Sequence, residues 1–408
     1  MKNKIYTLLI LVFCITNIYS QTAEEFYKNG FEKVNKKEYK NAIIDFTKAI
    51  ELNPNYELAY LQRGNSKSKL NDFKGTILDC TKIIQLNPSS LAAYFLRADS
   101  KQNLQDNQGA ILDYSKAIEI NPNFKIAYLK RGNAKQDLLD YQGAILDYTK
   151  AIESDSSFAL AFQSRGSAKF ALLDYRGAIL DFTKAIDINP NYESAFYQRG
   201  LSKFKLEDYN GAISDYSKAI EIYPKQKNEY IYLIRGEAKY ELGNYFSAIL
   251  DFEKAIEINS NSKVAYFNSG KAKDKLSDFS GAILDYSKAI EIDPNYGSAY
   301  DNRGGSKNKL LDYRGAILDF SRVIEINPNN EFAYLERGFS KMQLYDYEGA
   351  IFDFNKTIEI NPNNKFAFIQ RGLSKISINE KDSACLDFSK AGELGYTEAY
   401  ELIKEFCN

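Results

Sequence analysis

The chain of 408 residues carries 53 lysines and arginines against 54 aspartates and glutamates, so its formal net charge is −1. This balance does not predict the basic surface typical of nucleic-acid-binding proteins, and we expect no nucleic-acid partner. Histidine is absent, which removes the commonest general base and the commonest metal ligand. Since no cysteine cluster has the spacing of a metal site, we expect no enzyme activity, no cofactor and no metal.

The first twenty residues differ in character from all that follow. A short basic start precedes a mostly apolar run from Ile5 to Ile15, and polar sequence begins after Ser20. This order predicts a secretory signal peptide over residues 1–20, cleaved after Ser20; an uncleaved anchor is the alternative. The apolar run is shorter than the ~20 residues that a spanning helix needs. We therefore expect an exported protein, periplasmic, on the cell surface or secreted, with no membrane span in its mature chain.

Proline marks a repeat from residue 54 onward. All eight prolines share one phase of a 34-residue period, with a single two-residue insertion at Lys227-Asn228. They are Pro54, Pro88, Pro122, Pro190, Pro224, Pro294, Pro328 and Pro362. Because proline cannot continue a helix, proline at a fixed phase indicates a recurring helix end. A period of this length predicts one array of repeats rather than two or three globular domains.

The unit from Gly297 to Asn330 shows the pattern within one period. Residues at helical spacing predict a first helix, with Tyr300, Gly304, Lys307 and Leu310, and a second helix, with Ala316, Ile317, Phe320, Val323 and Ile324. Eleven units start at Ala23, Glu57, Leu91, Lys125, Ala159, Glu193, Glu229, Lys263, Gly297, Glu331 and Lys365. We expect the array to cover residues 21–398 and a cap helix to close its end over residues 399–408.

This pattern resembles the tetratricopeptide repeat. The fourth unit reads Tyr128, Gly132, Ala144, Tyr148 and Ala151, with Ser156 in place of the proline. The ninth unit reads Tyr300, Gly304, Ala316, Phe320, Val323 and Pro328. The resemblance covers nearly all of residues 21–408. It implies an all-α, right-handed superhelical solenoid of about eleven 34-residue helix-turn-helix repeats, whose first helices line a concave groove for peptides or partner proteins.

The first helices depart from the commonest family pattern at two usually apolar positions, which carry arginine and lysine. Lysine occurs in all eleven units, and the second helix carries an aspartate in all eleven. The arginines are Arg63, Arg97, Arg131, Arg165, Arg199, Arg235, Arg303, Arg337 and Arg371. Arginine and lysine four residues apart on one helix face repel each other unless a nearby acid offsets them. We therefore predict a structural ladder of ion pairs; the alternative is a basic track for an acidic ligand.

By the resemblance, groove residues stand three before, one after and four after the recurring glycine. These positions are apolar in two stretches, which we expect to form partner-binding patches. The central patch is Phe170, Tyr197, Leu201, Phe204, Leu233 and Tyr240. The C-terminal patch is Leu335, Phe339 and Met342 of the tenth unit with Ile369, Leu373 and Ile376 of the eleventh. Apolar residues that a core does not need often mark interaction sites. The alternative is that these side chains pack between neighbouring units.

Three of the four cysteines follow the predicted leader. Cys80 takes a position that is aromatic in the other ten units, so we expect a buried apolar side chain there. Cys385 and Cys407 are both near the C-terminus. In an oxidising compartment they either form a disulfide that attaches the last helix to the array or remain as thiols.

Taken together, these features favour a non-catalytic scaffold that binds a peptide or a partner protein in its groove. The alternative is a structural spacer or self-assembling envelope array without a dedicated ligand. The sequence gives no indication of the oligomeric state. An enzyme is disfavoured, because histidine and a glycine-rich phosphate loop are both absent from the sequence.

Overall fold

A computed structural model of the chain describes residues 22–222 and 228–407. The predicted signal peptide, Pro224 and Lys227 lie outside these ranges. Within them the chain is helical and contains no strand. The chain divides after Leu206 into a first unit, of which residues 22–206 are described, and a second unit, described from residue 207 to 222 and from 228 to 407.

The first unit consists of five helix pairs and one further helix. Its helices are α1 (Ala23–Asn35), α2 (Tyr39–Leu52), α3 (Glu57–Lys69), α4 (Phe73–Leu86), α5 (Leu91–Asn103), α6 (Asn107–Ile120), α7 (Lys125–Asp137), α8 (Tyr141–Ser154), α9 (Ala159–Ala171), α10 (Tyr175–Ile188) and α11 (Glu193–Lys205). In each pair a helix of 13 residues precedes one of 14. Each helix packs against the next along the chain, so the pairs stack in sequence order.

The second unit begins with a single helix, continues with five pairs and ends with a short helix. Its helices are α12 (Tyr209–Ile222), α13 (Glu229–Glu241), α14 (Tyr245–Ile258), α15 (Lys263–Lys275), α16 (Phe279–Ile292), α17 (Gly297–Lys309), α18 (Tyr313–Ile326), α19 (Glu331–Gln343), α20 (Tyr347–Ile360), α21 (Lys365–Ser377), α22 (Lys381–Glu393) and α23 (Ala399–Phe406). The predicted all-α fold of helix-turn-helix repeats is confirmed. Helix α2 ends at Leu52 and is followed by the extended Asn53 and then Pro54, as the proline phase predicted.

Short polar motifs set the turn inside each pair. Asp72 caps α4, since its carboxylate accepts a hydrogen bond from the Gly75 backbone N–H at 2.9 Å. The same cap recurs at Asp106, Asp140, Asp174, Asp278, Asp312 and Asp346. The residue before the cap has left-handed backbone geometry, with φ of 62° at Asn71 and 78° at Gly243. These turns hold the two helices of a pair antiparallel and in one register.

Glycine and a large ring share the space between the helices of a pair. Tyr148 of α8 is fully buried, and a Cβ added to Gly132 of α7 would lie 2.6 Å from its Cε1. The ring therefore packs directly on helix backbone that only glycine leaves open. Cys80 takes the ring's place in the second pair and is fully buried, as predicted.

The C-terminal end of the second unit is closed by α23. Phe406 packs against Phe388 of α22, with ring centroids 6.4 Å apart, and Leu402 joins the same apolar cluster. A disulfide joins Cys385 of α22 to Cys407. The last helix is thus attached to the preceding pair by both apolar packing and a covalent bond.

Candidate functional site

A layer of ion pairs lies between the helices of the pairs. In the tenth repeat, Arg337 donates from Nε and Nη2 to the two carboxylate oxygens of Asp353, at 3.0 and 2.6 Å. Lys341 approaches the same carboxylate at 2.8 Å. The third nitrogen of the guanidinium, Nη1, donates at 3.0 Å to the Ser321 hydroxyl of the preceding repeat. Arg337 also lies over the Tyr334 ring, 5.5 Å from its centroid.

The arrangement repeats within both units. Bidentate pairs join Arg63 to Asp79, Arg97 to Asp113, Arg131 to Asp147, Arg165 to Asp181, Arg235 to Asp251, Arg303 to Asp319 and Arg371 to Asp387. The predicted ladder is therefore confirmed in these repeats. Each aspartate is almost fully buried, and each arginine also reaches the preceding repeat. The ladder fixes how one repeat stacks on the last, which is the structural role that the sequence favoured.

Arginine is missing from the ladder in two repeats: Asn29 takes its position in the first repeat and Ser269 in the eighth. The Ser269 hydroxyl donates to Asp285 at 2.6 Å. Lys273 still binds Asp285, at 2.7 Å. The Asp285 side chain is 14% exposed, against 4% for Asp319 at the same place in the ninth repeat. The charged layer is thus weaker in the eighth repeat than in the ninth, and the eighth repeat borders the site described below.

The predicted central patch is spread over both units. In the first unit Tyr197, Leu201 and Phe204 are half-buried on α11, and Phe170 of α9 packs edge-on against Tyr175, 5.2 Å away. In the second unit Leu233 is buried in the core around Phe252 of α14, so its side chain does not reach the surface.

Tyr240 of α13, also in the second unit, is half-buried. Its ring packs edge-on against Tyr245, 5.2 Å away, and carries the Lys271 ammonium 4.8 Å from its centroid. In the predicted C-terminal patch, Leu335, Phe339 and Met342 are all half-buried on α19. Ile369 of α21 is instead buried in the apolar cluster that α23 joins, and Leu373 and Ile376 pack against that cluster. Phe339 lies 6.5 Å from Tyr313, ring to ring.

An open cleft of about 950 Å³ in the second unit joins two of these predicted residues, Tyr240 and Phe339. First helices α15, α17 and α19 supply most of the lining. Aromatic side chains recur around it: Tyr240, Phe279, Tyr286, Tyr313, Phe332 and Phe339. The cleft therefore lies on the face of the first helices where the resemblance implied a groove, with rings from four helices around it.

The ninth repeat leaves the centre of the cleft open. Its first helix carries Gly305 and Ser306 where it lines the cleft. A Cβ placed on Gly305 would have no atom within 4 Å, whereas the recurring glycine beside it, Gly304, faces the Phe320 ring at 2.9 Å. The space above Gly305 is thus vacant because the side chain is missing, and core packing does not require that glycine.

Carboxylates of three first helices line the cleft, and their environments differ. Asp274 accepts hydrogen bonds from the Tyr286 hydroxyl at 2.6 Å and from the Ser306 hydroxyl at 2.7 Å. Glu336 accepts a long one from Asn308 Nδ2, at 3.4 Å. The Oδ1 atom of Asp301 is buried and has no hydrogen-bond partner. Among the three, only Asp301 shows a buried oxygen without a donor.

Burial changes the acidity of these groups. It raises the pKa of Asp301 to about 6, and the nearby Glu336 charge raises it further. Burial also raises the pKa of Glu336, although the bond from Asn308 opposes this. For Asp274 burial again raises the pKa, against the opposing effect of the Tyr286 and Ser306 hydroxyls. A buried carboxylate that lacks hydrogen-bond donors is costly to ionise. A ligand group that donates a hydrogen bond to it would therefore bind favourably in the cleft.

Sequence reasoning missed Asp301, although the signal was present. Asp301 stands three residues before Gly304, at the groove phase that placed Tyr197 and Leu335 in the predicted patches. Most other repeats have an apolar side chain there, including Leu61, Phe95, Leu129, Phe267 and Ile369. A search for apolar patches passes over a carboxylate in such a series. A search for departures from the repeat would have found it.

Comparison with protein families agrees with the fold. One model of the tetratricopeptide repeat matches residues 194–226, and a second matches residues 30–56, 91–124, 230–262 and 264–296. The matched segments fall in both units. The chain is therefore a tetratricopeptide repeat protein, of the class whose members serve generally as non-catalytic scaffolds for protein–protein interaction.

Solved structures give partial likenesses. The chain is similar to YrrB, described as a TPR protein with an unusual peptide-binding site: 26% identity, 46% of this chain, 95% of that one, TM-score 0.43. It is similar to MamA protein at 30% identity, over 42% of this chain and 92% of that one, with a TM-score of 0.40. Yeast Tom70 is 18% identical over 93% of both chains, with a TM-score of 0.36. The comparison with curated proteins found no match.

Over the ranges that the structure describes, no group of histidine, cysteine, aspartate and glutamate has the arrangement of a metal site. Over the same ranges, no helix has the length and hydropathy that crossing a membrane requires.

Proposed function

We propose that the protein is a non-catalytic scaffold that binds a peptide, or an extended segment of a partner protein, on the surface formed by its first helices. The observation that carries this proposal is the cleft of the second unit, where Tyr240 and Phe339 line one open space. Ligand sites are typically concave, largely apolar and supplied with a few placed polar groups. The cleft is concave and combines aromatic side chains with polar and charged groups. The ion-pair layer is a poorer candidate, because its charges are already paired within the fold.

We further propose that the protein works outside the cytoplasm. The basic start and apolar run of residues 1–20 support this, and so does the disulfide between Cys385 and Cys407, since disulfides persist mainly in oxidising compartments. Fractionation of the source cells, with the N-terminus of the recovered protein sequenced, tests the proposal. Recovery in the envelope or medium with Gln21 first supports it, and recovery in the cytoplasm with Met1 or Lys2 first contradicts it.

Site-specific photocrosslinking tests the scaffold proposal. A benzoylphenylalanine replaces Phe339 in the cleft, and in a matched control it replaces Leu318, which lies on α18 and is 71% exposed. Both variants are irradiated in whole cells, and the crosslinked products are identified by mass spectrometry. We expect a discrete partner at position 339 that position 318 does not capture. Capture at 318 alone would contradict a groove-binding scaffold.

A second candidate, the self-assembling array, is favoured by one observation. Second helices carry exposed leucines at one phase of the repeat, each about 70% exposed. In the first unit they are Leu78, Leu112, Leu146 and Leu180, and in the second Leu284, Leu318 and Leu386. Sedimentation velocity over a hundredfold concentration range decides this. A rising sedimentation coefficient, lost when the four leucines of the first unit become serine, would favour assembly over ligand binding.

A further inference from the structure

We propose that the cleft recognises a lysine or arginine side chain of a peptide segment of the partner, with the cation held by Asp301. This rests on the proposed function and names the chemistry of its ligand. The cationic group would lie above Gly305, between Asp301 and Glu336, and the neighbouring peptide residues would contact the aromatic side chains around the cleft.

The unpartnered oxygen of Asp301 is the first reason. Buried acceptors in folded proteins nearly always have a donor, and an exception calls for an explanation. An ionised carboxylate can only accept hydrogen bonds, so the missing group is a donor. An ammonium or guanidinium supplies both the donor and the opposite charge, and such bonds are stronger than neutral ones.

The shape of the cleft is the second reason. Gly305 leaves an opening on the helix that carries Asp301, and no side chain of the described residues comes within 4 Å of a Cβ built there. Tyr313, Phe332 and Phe339 line the same space. Lysine and arginine place a long apolar stem behind a charged group, so they combine well with aromatic walls around a carboxylate.

Three lysines also line the cleft, but they have only a weak influence on whether the cleft prefers a cationic or an anionic ligand. Lys271 already lies over the Tyr240 ring. Lys275 and Lys309 are exposed, where solvent and salt screen their charges. The carboxylates of Asp301 and Glu336 are more deeply buried and therefore less screened. The interior of the cleft is acidic even though its rim carries basic groups.

Peptide arrays of fixed design test the proposal. Each array holds random dodecapeptides with one constant central residue: lysine, arginine, norleucine, glutamine or glutamate. The purified full chain is applied as the parent protein and as Asp301→Asn. Asp99→Asn is the matched control, because Asp99 also stands at a groove phase but is already paired with Lys130 at 2.7 Å. Gly305→Trp fills the cleft, and Gly305→Ala is its control.

We expect the parent to prefer the lysine and arginine arrays over norleucine by about tenfold or more, the effect of one charge-assisted hydrogen bond. Asp301→Asn should reduce that preference to about twofold or less while binding to norleucine peptides persists, and Asp99→Asn should leave the preference unchanged. Gly305→Trp should abolish binding to every array, and Gly305→Ala should not. Thermal unfolding by circular dichroism verifies that each variant is folded.

The possible failures are distinguishable. If the folded parent binds no array, the peptide-binding function itself is wrong. If it binds all arrays equally, or keeps its preference in Asp301→Asn, the scaffold proposal survives and the assignment of a cation to Asp301 is wrong. A preference for glutamate peptides would overturn the assignment in favour of an acidic ligand held by the lysines.

Discussion

Asp353 and Asp301 are both carboxylates of the second unit, and they are held in opposite ways. Asp353 is fully buried and accepts hydrogen bonds from Arg337 while Lys341 lies 2.8 Å away. Asp301 is half-buried, and its buried Oδ1 has no donor. The first aspartate has counterparts throughout the array, whereas a carboxylate at the phase of Asp301 occurs in the ninth repeat alone.

This contrast separates structural charge from charge that is left for a ligand. Desolvating an ion costs several kcal/mol, roughly, and only a well-formed pair offsets that cost. The repeated aspartates meet this condition inside the fold, so they stabilise the stacking of the repeats. Asp301 lacks such a pair, so burying its charge destabilises the free protein. A ligand that donates a hydrogen bond to Asp301 would offset this cost. Two pairs of substitutions and one single substitution test whether this distinction holds.

The largest effect is expected in the ion-pair layer. Asp319→Ala removes the acid that pairs with Arg303 and Lys307 and leaves both largely buried cations without an ionic partner. We expect a loss of about 3–5 kcal/mol in the free energy of unfolding, measured by urea denaturation. A negligible loss would mean that the layer is solvated and that the ladder does not stabilise the array.

Asp285→Ala is the matched control for that measurement. It occupies the same phase in the eighth repeat, but it is more exposed, and Ser269 replaces the arginine. Only Lys273 loses an ionic partner. Water reaches this more exposed site more easily and solvates the ammonium that Asp285 no longer pairs with. We therefore expect a clearly smaller loss than for Asp319→Ala, and equal losses would contradict the structural assignment of the arginine.

An intermediate effect is expected from two glycines of first helices. A Cβ on Gly338 would lie 2.7 Å from Cε1 of the buried Phe354 ring, whereas a Cβ on Gly305 would meet nothing within 4 Å. Alanine at either site gains about 1 kcal/mol of helix propensity. Only Gly338→Ala forces the core apart, which typically costs about 1–3 kcal/mol. Thermal unfolding should place Gly338→Ala below Gly305→Ala, and the reverse order would mean that Gly305 is a packing residue.

Most of the fold was predictable because the same residue pattern recurs in repeat after repeat. The phase of Pro54 and its counterparts located helix ends, and the alternation of Gly132 with Tyr148 located a pair of facing helices. A feature of one unit can be compared with the same position in the ten other units. The ion pairs followed from the same redundancy, since arginine, lysine and aspartate recur at fixed spacing.

The candidate site was predictable only in part, because it arises where the repeat is broken. Apolar phase placed Tyr240 and Phe339 on one face of their helices, and the structure puts both in one cleft. The same phase also selected Leu233, which is buried against Phe252. Phase gives the direction of a side chain from its helix but does not say how closely the next repeat covers it. The opening above Gly305 depends on that packing.

The smallest effect concerns the pH dependence of stability at Asp301. Burial and the Glu336 charge raise the pKa of Asp301 to about 6, above the ~3.9 of an unfolded chain. Between these values the folded protein holds a proton that the unfolded chain has released, so stability falls as pH rises from about 4 to about 6.

Asp301→Asn removes this penalty. Its melting temperature should therefore exceed that of the parent at pH 7.5, and the difference should shrink towards pH 4. Glu336, whose pKa burial also raises, should leave the variant a weaker slope of the same sign. A variant that melts below the parent at pH 7.5 would mean that the Asp301 carboxylate already has a stabilising partner in the free protein.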